Sequence, residues 1–284
     1  MTLVTVSSVK GAPGGTTVAL LLSRSLAGAT VDSRTTLLLE CDPAGGDLAP
    51  TLGLPGVPGL ASLALAGRHG LTVDLLLAHA QAHPSRPELR LLLGVAGPEQ
   101  GAALRWIWRD LACLLSAPSL LVVADLGRCG VDDRHGELCE TAAANLLITT
   151  DDVASLLHAK AAVEASQRAG RAVGVIVTGE RRRRLSQVSQ AMNAEVLGAV
   201  RYDRPAVSSL LARGDAARFR VGEARARARS DALLADVERI ACRLATRVGI
   251  EASAAPAMCT GSRVSTSRLG QSPVARFLRK PVIL

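Results

Sequence analysis

Within eight positions the chain places a lysine, three glycines and two adjacent threonines: Lys10-Gly11-Ala12-Pro13-Gly14-Gly15-Thr16-Thr17. These residue types suit the gripping of a phosphate. Glycines allow close backbone approach and unusual dihedrals, so successive N–H groups and the positive end of a following helix can surround phosphate oxygens. The Thr16 hydroxyl then falls where such loops hold magnesium. A glycine-rich turn between a strand and a helix is also, in many proteins, only a tight turn. Two further stretches place acids after apolar runs: Glu40-Cys41-Asp42-Pro43-Ala44-Gly45-Gly46-Asp47-Leu48, and the apolar run Leu120-Leu121-Val122-Val123-Ala124 followed by Asp125-Leu126-Gly127-Arg128. By themselves, Asp42 could cap a turn at a strand end and Asp125 could simply terminate a strand.

These residues need elements to hold them. Strand patterns fall at Leu3 to Ser8, Thr36 to Leu39, Leu89 to Leu93, Leu120 to Ala124, Leu146 to Thr149, Val173 to Val177 and Val196 to Val200. Helical patterns lie between them at Thr16 to Ala27, Thr72 to Ala82, Gly101 to Leu115, Val153 to Arg168, Leu185 to Met192 and Glu223 to Val248. This alternation predicts βα units: a doubly wound α/β fold with a mostly parallel sheet of about seven strands and its ligand crevice at the strands' carboxyl ends. In the last helix Leu233, Leu234, Val237, Ile240, Ala241, Leu244 and Val248 recur at three-to-four spacing, the stripe of a helix packed on a sheet. At 284 residues and 48% apolar content one large domain over 1–250 is expected. Aromatics make up only 2%, so the core must come from Leu, Val, Ile and Ala. From Glu251 onward Ser, Ala, Pro, Gly, Thr and Arg dominate and periodicity stops, so 251–284 reads as a disordered basic tail.

With strand, glycine loop and helix in that order, Lys10 to Thr17 resembles the deviant Walker A motif of the ParA/MinD family, Lys-Gly-Gly-x-Gly-Lys-Thr-Thr. Lys10 matches the family's signature lysine. The resemblance implies that Lys10 reaches the phosphates across an ATP-bound dimer, and that Lys10, Gly11, Gly14, Gly15, Thr16 and Thr17 bind nucleotide. The second lysine of the pattern falls on Gly15, removing a charge-assisted contact worth about 2–3 kcal/mol in a desolvated site. Glu40 to Leu48 is similar to the family's Asp-x-Asp-Pro-x-Gly motif, with Glu40 for the first acid. By that resemblance Asp42 orients the attacking water and supports magnesium, and Asp125 takes the Walker B place, holding magnesium through water. The family's usual Asp-x-Pro-Pro-Gly is absent after Asp125. Val175 to Gly179 and Val200 to Asp203 look like the nucleotide-base end, which makes Thr178 and Asp203 base-end candidates. Among relatives the chain is most similar to a high-GC Gram-positive, MinD-like subgroup with a Pro-Gly-x-Thr-Thr loop and an Asp-Pro-Ala-Gly-Gly-Asp-Leu segment.

Other chemistry finds less support. Six cysteines at 41, 113, 129, 139, 242 and 259 show no CxxC spacing, so they read as reduced thiols. Cys113, with Leu111, Leu114 and Leu115 around it, is expected to be buried. Cys129-Gly130 is similar to the cluster cysteine of the nitrogenase iron protein, but a second ligand has no counterpart. His79 and His83 at i, i+4 are expected on a helix end rather than as metal ligands. No Gly-x-Ser-x-Gly setting marks a covalent hydrolase.

The net charge is +8, and 251–284, with five basic residues and one acid, carries +4 of it. Arg181 to Arg184 form a basic run that is either a solvated loop or a contact for DNA, acidic phospholipid or a partner. No run nears the roughly 20 apolar residues of a membrane span and none resembles a signal peptide, so a cytoplasmic protein is expected, peripheral to membrane or nucleoid where the basic segments engage. The resemblance implies ATP and magnesium as cofactors, a nucleotide-dependent homodimer with a protein partner, and an ATP-dependent switch in partitioning or subcellular positioning. With Gly15 in the loop, that switch is a weak ATPase at best. The alternative is a noncatalytic pseudo-ATPase scaffold or regulatory binding module.

Overall fold

Runs of Leu, Val and Ile bounded by glycines, turns and caps become strands because both of their faces can be covered by helices. A computed structural model describes residues 2–9, 14–29, 34–128, 135–179, 184–211 and 223–250. Its strands are β1 (Thr2–Ser8), β2 (Thr35–Glu40), β3 (Gln81–His83), β4 (Arg86–Leu92), β5 (Leu120–Arg128), β6 (Ala144–Thr150), β7 (Val173–Thr178) and β8 (Glu195–Val200). They form one sheet in the order β3-β4-β2-β5-β1-β6-β7-β8. Seven strands are parallel, and β3 alone pairs antiparallel, with β4. The expected doubly wound sheet is present, with one edge strand added.

The helices are α1 (Gly15–Ala29), α2 (Leu48–Leu52), α3 (Leu60–Ala66), α4 (Val73–His79), α5 (Pro98–Ala103), α6 (Trp108–Leu114), α7 (Gly136–Thr141), α8 (Val153–Arg168), α9 (Leu185–Met192), α10 (Arg204–Leu211) and α11 (Glu223–Val248). Alternate strand residues separate two layers. Leu38 and Val4 join the core with α1, α2, α10 and α11, whereas Leu37, Leu39 and Leu3 join α3, α4, α6 and α7. The helices α8 and α9 cover the β6–β8 end through Leu147, Val175 and Val177. Leu20, Leu21 and Leu22 of α1 are all buried because α1 lies between the sheet and α10–α11. Each such leucine contributes about 1.5–3 kcal/mol of burial free energy.

The α11 stripe packs as the periodicity predicts, with Leu233, Val237, Ile240, Ala241 and Leu244 buried. The helix runs antiparallel to β8, fixed at both ends. Arg243 donates to the Leu197 carbonyl at 2.6 Å and Arg247 pairs with Glu195 near the strand's start. Beyond its end, Arg201 makes two side-chain bonds to Asp236, at 2.6 and 3.2 Å. Gly198 lets Ile240 close onto the strand, since a Cβ there would lie 2.7 Å from Ile240 Cγ1. Asp236, fully buried on the same face as the apolar stripe, has no periodic signal in the sequence.

Four expectations need correction. The helix expected over Thr72 to Ala82 stops at His79, where Arg90 donates to the carbonyls of Leu77 and Ala80, and the chain turns into β3. His83 is therefore buried on an edge strand, not on the helix of His79; its Nδ1 accepts from Ser85 N at 3.2 Å, and burial with Arg24 and Arg86 nearby lowers its pKa to about 4. The helix expected over Gly101 to Leu115 is broken by a 3-10 turn at Arg105–Ile107, which rotates the chain so that Ile107, Trp108, Leu111 and Leu115 all point inward. Cys113 is consequently exposed rather than buried. Among the described residues no helix is long and apolar enough to cross a membrane.

Replacing Asp236 by Ala removes the shared acceptor of Arg201 and of Arg239, both of which can rehydrate. Chemical denaturation is expected to show a loss of about 2 kcal/mol with an unchanged m-value.

Candidate functional site

Because β5 is inserted between β2 and β1, three chain segments that are remote in sequence end side by side. Register places Val6 and Glu40 on either side of Asp125. The glycine loop follows β1, the Asp42 loop leaves β2, and Asp125 lies within β5, three residues before its end at Arg128. Lys10 and Gly11 lie outside the described residues. Gly14 and Gly15 open α1, whose first turn closes when Val18 N donates to the Gly14 carbonyl at 2.8 Å. A cleft of about 260 Å³ beside this turn is lined by Gly14, Gly15, Thr16, Thr17, Leu20, Asp47, Leu48, Thr51 and Leu211. The unpaired N–H groups of α1 make this end a favourable place for an anion.

Asp125 is 1% exposed. Its Oδ1 accepts the Gly127 N–H at 3.0 Å, while its Oδ2 is buried with no hydrogen-bond partner among the described residues. Burial pushes the carboxyl up, and the Thr16 hydroxyl and Gly127 N–H pull it partway back. Between Val6 and Ser8 the β1–β5 register slips, so β5 carries one extra residue across Leu126–Gly127. Such a bulge bends the strand and re-aims its neighbours. Gly127 sits there at φ +66°, with Ser8 Oγ donating to its carbonyl at 3.3 Å.

Asp42 approaches the same bulge from β2. A Cβ on Gly127 would lie 2.1 Å from Asp42 Oδ2, so only glycine lets the two meet. Asp42 Oδ1 accepts the Ala44 N–H at 2.8 Å, so the carboxylate does cap its own turn while facing Asp125's strand. Burial raises its pKa, Asp47 adds repulsion, and Arg128 opposes the shift. Glu40 is enclosed entirely by protein, taking N–H bonds from Asp47 and Leu48 on one oxygen and Gly94 on the other.

Thr178 and Asp203 lie across the sheet from this cluster, at the ends of β7 and β8. At the usual strand spacing those are about 10 and 14 Å from β1. Thr178 is buried and its hydroxyl donates to the Thr149 carbonyl at 3.4 Å. Asp203 caps α10 through Ala206 N at 3.0 Å and is paired with Arg229 at 2.6 Å, which holds its carboxyl low. Of the basic run, Arg184 precedes α9 and Arg181 to Arg183 lie outside the described residues. Sequence reasoning missed the clasp made by Glu40 and the contribution of α2 to the cleft. The signal for the first was the pair Gly45-Gly46 with Gly94, glycines that admit close approach.

The donor set fits a hard cation that keeps its own water: a buried carboxylate oxygen without a partner, a hydroxyl in the first turn of α1, and a second carboxylate nearby. Among the described residues no group of three or more His, Cys, Asp or Glu side chains is arranged to hold a metal.

The same architecture occurs in a ParA family ATPase from Chlorobium tepidum, at TM-score 0.70 and 18% identity, covering 86% of this chain and 98% of that one. The fold is that of the ParA and MinD ATPases. The septum site-determining protein MinD of Pyrococcus horikoshii, complexed with Mg-ADP, superposes with TM-score 0.62 at 17% identity over 89% of this chain and 99% of its own. Cyanothece McdA in an ATP complex does so with TM-score 0.60 at 14% identity, over 88% and 97%. No protein-family model matches the chain, and no curated protein does. The ParA/MinD fold thus extends over nearly the whole length of these structures at identities that carry the architecture alone.

Two outcomes follow from the geometry of this crevice. Asp125→Asn removes a buried charge. A carboxyl whose folded pKa is raised contributes stability that is present below its unfolded pKa and is lost as pH rises through the folded value. The variant is therefore expected to gain about 1 kcal/mol over the parent at pH 7, seen as a melting temperature roughly 2–4 °C higher, with the gain vanishing near pH 4. Gly127→Ala, strained at φ +66° and colliding with Asp42, is expected to lose about 2–3 kcal/mol in the same melts.

Proposed function

We propose that this chain is a ParA/MinD-like nucleotide-binding protein of the MinD-like subgroup its loop resembles, using magnesium ATP as an ATP-dependent dimeric switch in partitioning or subcellular positioning. The observation that carries the reading is the meeting of the α1 first turn, Asp42 and Asp125 at three adjacent strand ends, with Asp125 Oδ2 left without a partner. The nucleotide complexes of MinD and McdA, which share the fold, support it.

In this reading Gly14, Gly15, Thr16 and Thr17 cradle phosphate oxygens with backbone N–H groups and hydroxyls, together with Gly11. Thr16, Asp125 and Asp42 hold magnesium, which when bound neutralises charge on the phosphate oxygens. Asp42 orients the attacking water. Lys10 reaches the partner's phosphates in the dimer, a role outside the described residues. The nucleoside end runs toward Thr178 and Asp203. A protein partner, and DNA or an anionic membrane met through Arg181 to Arg184 and the basic 251–284 segment, complete the switch in the cytoplasm.

Gly15 favours a second reading, a pseudo-ATPase scaffold that binds nucleotide without useful turnover. The loop lacks the cation that ordinarily draws on the β and γ phosphates, so hydrolysis is weak at best.

Titration with a fluorescent ATP analogue, with and without magnesium, alongside single-turnover hydrolysis and sedimentation, separates the readings. Magnesium-dependent binding and dimer formation are expected. Measurable turnover removes the scaffold reading, and no binding at millimolar nucleotide removes the nucleotide switch. A Cβ at Gly15 would meet, among the described residues, Ser8 at 3.4 and 3.6 Å, an ordinary contact, so a side chain can start there without a clash. Gly15→Lys is expected to tighten nucleotide binding by about tenfold or more and to raise turnover. Unchanged affinity and rate would show that this lysine does not limit the site.

A further inference from the structure

Glu40 is 2% exposed, and its carboxylate is hydrogen-bonded by backbone N–H groups. Oε1 accepts the N–H groups of Asp47 at 2.7 Å and Leu48 at 2.9 Å; Oε2 accepts that of Gly94 at 2.9 Å. Three segments converge on this one side chain: the end of β2, the start of α2 and the chain just after β4. Two glycines are packed against it. A Cβ on Gly46 would lie 2.1 Å from Oε2, and one on Gly94 would lie 3.0 Å from both Cγ and Oε2. The loop between Glu40 and Leu48 is held on its other flank as well. Gly46 N donates to the Val95 carbonyl at 2.8 Å, and Gly101 of α5 abuts Pro43, where a Cβ would come within 2.6 Å of its carbonyl oxygen.

Asp42 lies inside that loop, two residues after Glu40. Both ends of its loop are therefore fastened to the same carboxylate. We infer that Glu40 is a positioning residue: by clasping the amides of Asp47, Leu48 and Gly94 it fixes the Asp42 carboxylate against Gly127, in advance of any ligand. The consequence for nucleotide rests on the function proposed above; the clasp itself does not. The chemistry calls for a carboxylate. Three N–H groups meet two acceptor-only oxygens, and a glutamine amide would turn an N–H donor toward one of them. An aspartate would fall about 1.5 Å short. A side chain that merely capped a local turn would have no reason to reach Gly94, 54 residues away.

The test uses the full chain carrying Glu40→Gln, Asp42→Asn, and both together. Hydrogen–deuterium exchange without ligand is expected to quicken by about tenfold or more in Glu40→Gln over 42–48 and 93–96, with β1 and β5 unchanged. Asp42→Asn is not expected to reproduce this. Unchanged exchange over those segments overturns the inference. Gly94→Ala, which crowds the carboxylate but keeps its charge, is expected to give the same exchange pattern, and decides the matter if Glu40→Gln does not fold. In magnesium-dependent binding of a fluorescent ATP analogue, the double variant is expected to be within about twofold of Asp42→Asn alone. Full additivity would mean Glu40 does not act through Asp42 and overturns the positioning role. If the parent chain binds no nucleotide at millimolar concentration, the nucleotide reading falls while the exchange result still decides whether Glu40 holds the loop.

Discussion

The insertion of β5 between β1 and β2 is the constraint on which the site depends. Eight consecutive residues of β5, from Leu120 to Gly127, are buried, and its backbone is paired on both sides. That pairing sets the heights at which the three strands end, and with them the places of the glycine loop, Asp42 and Asp125. The bulge at Leu126–Gly127 is the departure from the β1–β5 ladder, and it lies where the chain must yield to the Asp42 carboxylate. Helices on both faces exclude water from the strands, so each carboxylate at their ends sits in a low-dielectric rim.

Burial there places stability and chemistry in opposition. Glu40, Asp42 and Asp125 all have carboxyls raised mainly by desolvation, and like charge adds to it: Asp125 acts on Glu40, Asp42 on Asp125, and Asp47 on Asp42 and Asp125. Glu40 is compensated by three backbone N–H groups, a hydrogen-bonding solution internal to the protein. Asp42 is partly compensated by Ala44 N and Arg128. Asp125 keeps one oxygen without compensation. A group left in that condition in a packed protein costs stability until something meets it, which is the pattern of a site rather than of a scaffold. Gly15 leaves the positive side of the balance to the α1 terminus and to groups beyond its own turn.

The strands were legible because their apolar runs are long and separated by helical periodicity; β1, β2 and β4 to β8 all form where Leu, Val and Ile cluster. The stripe of α11 was equally plain. Short elements escaped for a physical reason. The three residues of β3 become a strand only because β4 offers a ladder edge and Arg90 caps the helix before it, so His83 enters a strand that no local pattern announces. Cys113 points outward because a 3-10 turn re-phases α6, a choice made by the packing of Trp108 and Ile107. Asp236, among leucines, is intelligible only once Arg201 arrives from the end of β8.

The sequence by itself determined the alternation of strands and helices, the glycine loop between the first strand and first helix, and the positions of acids at strand ends, because these depend on local spacing and on chemistry within a few residues. Tertiary structure decided which of those strand ends are neighbours. It made Glu40 a clasp across 54 residues, set Asp42 against a bulge, and left Thr178 and Asp203 engaged by Thr149 and Arg229 on the far side of the sheet. Those outcomes rest on strand order and on hydrogen bonds between remote segments, which no local pattern encodes.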